Sequence, residues 1–377
     1  MQLEVELIQD ERRLAAVADE WNALAGAVPF RRSEWLATWW RHFRPSGDEL
    51  FVPAVYDGER RLVALAPWYL SRDGWQGRVV RFLGSGKVCS EYLSVLAACP
   101  VANQVVSRLA SWLTYEGAGR WDLLDFDGVA SGDVVLARLA DELSAAGCRI
   151  FRRQREQIWR LTLPATWDEL VGRLSKKRRA KIRVQEREFF ESGRAKLQTA
   201  EDAQGIAQGL DVLHRLHQAR RSSLGETGCF ALPQFEGFLA ESAMHFQRLG
   251  QLRLQWLEVD RQPAAVEFDL LGGDALFYYQ SGIDPGVAEI SPGWLLQTAS
   301  LRRAIAEGCR SFDFLRGDEA YKATWGAQPE PLVQFRIAAK RPLARLRHEL
   351  WRAALEGKNH WQSTKNWAIA TCGKKAC

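Results

Sequence analysis

The chain has 377 residues, 47% of them hydrophobic, which is enough to bury large cores and long enough to favour two domains over one. Seven cysteines with no CxxC pair or zinc spacing argue against a disulfide framework, and no apolar run approaches the ~18 residues of a membrane-spanning helix. The net charge of +5 is unevenly spread: residues 172–188 hold eight Lys or Arg against two Glu, residues 340–377 hold nine against two, and the rest of the chain is acidic.

The first residues, MQLEVELIQDE, are acidic and unlike a secretory signal, so the expectation is a cytoplasmic protein. Apolar residues recur at helical spacing from Trp21 to Phe43, with Trp35, Trp39 and Trp40 prominent. LFVPAVY and RLVALAPWYL flank the turn Asp57-Gly58-Glu59-Arg60 and predict a hairpin. VANQVVSRLASWLTYEG predicts a helix and WDLLDF a strand. Leu163 to Trp167, interrupted by Pro164, reads as a linker. Beyond it, LSKKRRAKIRVQERE predicts a basic helix that suits a nucleotide phosphate, a transfer RNA backbone or an acidic polymer, and equally an exposed amphipathic helix.

DVLHRLHQARR brings His214 and His217 towards one helix face, with Arg220 and Arg221 following. Two histidines are an incomplete metal site, so His217 is expected to shape a binding cleft instead. The strands QLRLQWLEV, PAAVEFDLL and LFYYQSG come next, then a helix from Ser291 and the strand SFDFL. VVSRLASWLTYEGAGRWDLLDF and LLQTASLRRAIAEGCRSFDFL pass through the same order of helix, Glu-Gly stop and Asp-containing strand, which argues for duplication of one α/β unit. The division expected is 1–165, 166–339 and a basic tail, 340–377. In that tail Trp351, Trp361 and Trp367 fit an amphipathic helix that touches a membrane surface, covers the cleft or packs on the body.

No hydrolase, Walker, Rossmann or zinc motif is present. The chemistry concentrates in SPGWLLQTASLRRAIAEGCRSFDFLRGDEAYKATWG. Ser291 suits a helix cap, Pro292 a first turn, and Gly293 a close backbone approach, so the N–H groups of Gly293, Trp294 and Leu295 predict a modest anion site. Asp313, Arg316, Asp318, Glu319, Tyr321 and Lys322 then crowd the end of an apolar strand. Acyl transfer from a thioester needs a phosphate site, a base and a donor to the leaving thiolate. Asp313 or Glu267 fits the base, Tyr321 the donor, and Arg316 or Lys322 the phosphate. A buried Asp313–Arg316 ion pair is the structural alternative. Glu267 and Asp269 alternate on one face of VEFDLL, which predicts either a cleft or a partner for buried carboxylates there. Tyr278 and Tyr279 fall on opposite faces, one in the core and one in the cleft.

The run 291–326, with LSKKRRAKIR, HQARR and FYYQSGID, resembles the CelD/BcsL family of the GNAT acyltransferase superfamily, over about residues 20–335. The resemblance implies an α/β (α+β) fold of tandem GNAT-like units, each a twisted mixed sheet flanked by helices, with acyl-CoA wedged where two strands splay apart. It implies acetyl-CoA or another acyl-CoA as co-substrate and no metal, and it associates the chain with cellulose or exopolysaccharide biosynthesis. By position, LFYYQSG with Tyr279, Gln280 and Ser281 lines the carrier cleft, the helix opening at Gly293 receives the pyrophosphate, and Tyr321 matches the thiolate-protonating tyrosine. His217, Arg221, Asp269 and Asp318 fall on the acceptor side, for a small-molecule or saccharide acceptor. The usual [QR]xxGx[GA] loop is absent, and Pro292 has no amide to offer. FemAB-like transferases share the layout and take an aminoacyl group from transfer RNA, which is the second reading. A non-catalytic binding subunit of a polysaccharide-synthesis assembly is the third.

Overall fold

The computed structural model describes residues 2–356. The first half runs through β1 (Glu4–Ile8), α1 (Glu11–Ala16), α2 (Ala18–Ala25), α3 (Ser33–Phe43), β2 (Glu49–Leu50), β3 (Val52–Tyr56), β4 (Leu62–Leu65), β5 (Trp68–Asp73), β6 (Gly77–Phe82) and β7 (Leu96–Ala97). It closes with α4 (Ala102–Thr114), β8 (Leu123–Ala130), α5 (Val134–Ala145) and β9 (Arg149–Thr162). The second half comprises α6 (Trp167–Arg173), α7 (Lys176–Gln185), β10 (Ala195–Thr199), α8 (Ala203–Ser223), α9 (Pro233–Arg248), β11 (Leu252–Val259), β12 (Gln262–Gly272), β13 (Ala275–Ile283), α10 (Pro292–Ala306), β14 (Ser311–Arg316), α11 (Ala320–Thr324) and β15 (Gln328–Ala338).

Eleven strands form one mixed sheet in the order β10-β11-β12-β13-β14-β9-β15-β8-β6-β5-β2, and β1, β3, β4 and β7 form a second, smaller one. The large sheet does not break between the halves. At its centre β9, from the first half, lies between β14 and β15, while β15, from the second, lies between β9 and β8. Pairing is antiparallel except for β6 with β8 and β13 with β14, and in each of those pairs a helix connects the two strands. This strand–helix–strand order, present in both halves, is where the parallel read in the sequence falls. A connection of that length between parallel neighbours needs a crossover helix.

The expected helix from Trp21 to Phe43 is divided into α2 and α3, because Gly26 takes φ +65° and Pro29 starts a separate 3-10 turn. In the predicted hairpin, β3 pairs with β4, but β5 turns away into the larger sheet. The aromatic residues of α3 join the halves. Trp35 is fully buried and packs edge-on against Phe238 of α9 (4.7 Å) and Tyr279 of β13 (4.9 Å). A further helix, 342–356, packs Ala344, His348 and Trp351 onto the body, with the Trp351 ring edge-on to Phe151 of β9 and under the Arg336 guanidinium of β15. Trp361 and Trp367 lie outside the described residues. No described helix is long and apolar enough to cross a membrane.

Candidate active site

β13 and β14 stay paired for only three residues, ending at Phe277 and Asp313, and then part. Both strands are deformed there. β13 slips register against β12 between the partners of Phe268 and Asp269, so Tyr279 is the extra residue of a bulge. β14 kinks at Leu315, whose φ of +53° is a left-handed conformation that costs a branched side chain roughly 1–2 kcal/mol. Two residues hold that kink. The Asp313 carboxylate accepts the Leu315 N–H (2.9 Å), and Lys322 Nζ donates to the carbonyls of Leu315 (3.3 Å), Arg316 (2.6 Å) and Gly317 (3.0 Å).

The parallel pair of the first half also diverges, after Val80 and Leu124. There the rings of Phe82 and Phe126 meet at 4.5 Å, with Trp68 4.9 Å from Phe126, and fill the gap. In the second half the divergence opens into two adjoining cavities. One, of about 240 Å³, lies at the start of α10 and is lined by Ser291, Pro292, Gly293, Trp294, Gln297 and Arg220. The other, of about 280 Å³, lies between the parted strands and is lined by Tyr279, Gln280, Ser281, Leu315, Arg316 and Arg221, with Glu91 from the first half. Tyr278 and Tyr321 line both cavities. Burial raises both phenols above the ordinary tyrosine value, so each remains a proton donor at neutral pH. A larger cavity of about 440 Å³ on the far side of Tyr92 contains neither Tyr321 nor any residue of α10.

The α10 entrance differs from the expected amide cradle. Ser291 is itself left-handed (φ +53°) and makes no side-chain cap; its Oγ is held by Lys181 Nζ at 3.0 Å. Its carbonyl already accepts the N–H groups of Trp294 (3.0 Å) and Leu295 (3.2 Å), and Pro292 has none. Gly293 therefore carries the one first-turn amide without a partner among the described residues. A Cβ on Gly293 would lie 2.6 Å from Ile283 Cδ1, so only glycine brings this backbone so close to β13. Trp294 stacks on Trp325 at 4.2 Å and 8°, and the Lys181 ammonium, from the basic helix α7, sits 5.6 Å over its ring.

Several expected site residues have other duties. Asp313 lines neither cavity of this site, and its carboxylate is spent on Leu315 and the Tyr92 hydroxyl, so it does not fit the base. Lys322 borders the second cavity, but its ammonium is committed to three carbonyls and Glu319 (2.9 Å), leaving nothing for phosphate. Arg316 is bound to Glu91 and to Glu156 (3.0 Å) rather than to Asp313. His217 is buried against Phe230 and beside Cys229 Sγ (3.6 Å), outside both cavities. Asp318 accepts from Gln157 Nε2 (3.0 Å) in a polar groove that continues the second cavity past Arg316 and Gly317.

Glu267 and Asp269 form no cleft. They are buried between β12 and α10, where Glu267 accepts from Ser300 Oγ and neither Asp269 oxygen has a hydrogen-bond partner among the described residues. Burial raises both carboxyls, Glu267 to about 7. An acid whose folded value lies above its unfolded value of about 4 binds its proton more tightly in the native state, so stability falls as pH rises through that interval. Asp269→Asn, which removes one such group, is expected to flatten the loss of stability as pH rises above about 4. Urea unfolding at pH 5 and pH 7.5 reads the slope, and an unchanged slope would show that Asp269 titrates normally.

Tyr278, one of the two tyrosines expected to divide between core and cleft, and Arg220 line the cavities, as do Cys89 and Glu91, which were not singled out in the sequence. The last two lie in GSGKVCSEYL, a stretch without helical or strand period. What draws them to the site is tertiary pairing with Arg316 and Tyr279, which leaves no local trace.

Residues 176–323 match the acetyltransferase (GNAT) domain family, a span that runs from the start of α7 into α11 and contains both parted strands. No curated protein matches the chain. Among solved structures, FemX superposes with a TM-score of 0.64 at 12% identity, covering 91% of this chain and 99% of FemX. A conserved protein of unknown function from Bacteroides thetaiotaomicron VPI-5482 gives 0.56 at 12% identity, over 89% of this chain and 100% of that one. The C-terminal domain of a putative lysylphosphatidylglycerol synthetase from Agrobacterium fabrum gives 0.51 at 10% identity, over 90% and 96%. At such identities the likeness is one of fold, a mixed α/β arrangement with sheets flanked by helices.

Proposed function

We propose that this chain, whose second half carries a GNAT-type acetyltransferase domain, transfers an acyl group from an acyl-CoA thioester to an amine or hydroxyl of a saccharide or small-molecule acceptor. The observation that carries this reading is the pair of cavities meeting at Tyr321. In it, the cavity at α10 takes the carrier, with the Gly293 amide and Arg220 towards its phosphates, and the cavity between the parted strands takes the acceptor. Tyr321 gives its proton to the departing sulfur, beside Tyr278, which borders the same two cavities. The CelD/BcsL resemblance favours cellulose or exopolysaccharide synthesis as the setting and acetyl-CoA as the donor, in the cytoplasm where coenzyme A is used. The unit boundaries that suit this reading are 1–165 and 166–339, with the parted strands in the second.

One observation favours the aminoacyl reading instead. With a single free amide at α10, phosphate contact falls to cations, and α7 places Lys181 at the α10 entrance beside Lys176, Lys177, Arg178 and Arg179. Thermal unfolding with coenzyme A, acetyl-CoA and transfer RNA at two salt concentrations separates the two. Coenzyme A at 100 times its Kd is expected to add about 2.7 kcal/mol of stability and to raise the melting temperature saturably. A shift with transfer RNA alone, lost at high salt, would replace the acyl-CoA reading by the aminoacyl one.

A further inference from the structure

The second cavity contains one carboxylate whose position no structural duty in its own half explains. Glu91 belongs to the first half, is 0% exposed, and lines the cavity that Tyr321 and Tyr278 also border. Its segment is an irregular loop held at three points. The Val88 carbonyl accepts the Tyr279 hydroxyl (2.8 Å), Ser90 Oγ accepts Trp35 Nε1 (2.8 Å), and the Tyr92 hydroxyl donates to Asp313. Residues 89 and 91, between these anchors, line the cavity. Cys89 and Tyr92 both hold left-handed backbone, φ +55° and +62°, and strain of that kind in a non-glycine residue persists only where the surroundings over-determine it.

Resting on the acyl-transfer reading, we infer that Glu91 is the proton acceptor for the acceptor's nucleophile, so that the first half of the chain supplies the base to a site whose acid, Tyr321, comes from the second. Arg316 positions it: the guanidinium fork grips both carboxylate oxygens, one through Nη2 at 3.0 Å, and leaves each a further lone pair. The other charged or titratable groups around Glu91 are Asp313 on β14, Glu156 on β9, Cys89 on its own segment, Arg221 on α8, and Glu319 and Lys322 at α11. Burial outweighs Arg316 and pushes Glu91 up to about 7, where a carboxylate exchanges protons near neutral pH. Asp313 and Glu267, the bases expected from the sequence, have no such access.

With an amine acceptor the step balances. Glu91 takes one proton from the acceptor's ammonium, the freed nitrogen pair forms the bond to the thioester carbon, and the carbon–sulfur pair leaves with sulfur. Tyr321 protonates that sulfur and recovers its proton from the nitrogen, while Glu91 releases its own to solvent.

The test uses the full chain with acetyl-CoA and glucosamine or hydroxylamine as acceptors, reading thiol release against pH together with the melting temperature with and without coenzyme A. Glu91→Gln is expected to lower kcat at least about 100-fold and to abolish the rise of kcat on the acid side, while keeping the coenzyme A shift. Glu91→Asp, which keeps a carboxylate for Arg316, is expected to retain that rise at a lower kcat, and this guards against a folding defect in the amide variant. A Glu91→Gln enzyme within about threefold of wild type, or a Glu91→Asp profile without the acid-side rise, overturns the assignment alone. No coenzyme A shift and no thiol release from the wild type would sink the acyl-CoA reading itself, and the role of Glu91 with it.

Discussion

Arg316→Ala is expected to lower the unfolding free energy by about 3–5 kcal/mol at pH 8, the largest stability effect of any single charge removal at the site. The reason is asymmetry. The Glu91 side chain is 0% exposed and Arg316 supplies its charge-assisted hydrogen bonds, whereas Glu156, the other partner of Arg316, is half exposed and can turn to water. Without the guanidinium, Glu91 is an unpaired carboxylate with Asp313 close by, and the native state must hold it protonated. Its folded value then rises further above about 7, so the extra loss from titration grows as pH rises through about 7 and is absent where Glu91 is protonated in both proteins. Adding Glu91→Gln to Arg316→Ala removes the stranded charge and should restore part of the stability. Urea unfolding of both variants at pH 4 and pH 8 decides the matter: a loss under about 1 kcal/mol at pH 8, or no recovery in the double variant, would mean that the pair does not join the halves.

Lysine is no substitute at this position. Its ammonium is a point charge without the planar fork, and the neighbouring Lys322 shows where such a charge settles in this turn: on the carbonyls of residues 315 to 317. Arg316 and Lys322 looked equivalent as phosphate contacts in the sequence. The kink at Leu315 separates them, turning one towards Glu91 and burying the other.

Local signals carried the elements well, because hydrophobic period is a property of neighbours in the chain. The basic helix α7, the strands β11 to β14 and the helix after Ser291 all stand where their patterns put them. The exchange of β9 and β15 at the centre of the sheet had no such signal. RIFRRQREQIWRLT is mostly polar, and β15 carries Pro329 and Pro331 in its exposed first residues, so neither reads as a central strand. Charge next to an apolar strand was equally ambiguous. Asp313, Glu267, Asp269 and Lys322 all sit beside buried apolar residues, which is the pattern of a cleft and also of a buried clamp, and only the tertiary partners distinguish the two. Tyr278 illustrates the finer limit: a one-residue bulge at Tyr279 decides which phenol meets Tyr321, and a bulge is invisible in the alternation of side chains.

Tyr321→Phe tests the chemistry itself, and we expect it to slow turnover by about 100- to 1,000-fold while leaving coenzyme A binding within about twofold. Its ring packs edge-on to Phe314 at 5.9 Å and borders both cavities, so phenylalanine keeps the packing and deletes only the hydroxyl. The carrier's phosphates, in the proposed arrangement, meet α10 and Arg220 rather than Tyr321, so ground-state binding has little to lose. A proton donor to the leaving sulfur acts only as the carbon–sulfur bond breaks, and removing such a group lowers kcat and kcat/KM together. Parallel falls in turnover and coenzyme binding would instead make Tyr321 a carrier contact. Wild-type turnover in the variant would pass the acid role to Tyr278, the other phenol shared by the two cavities, and Tyr278→Phe would then have to carry the loss.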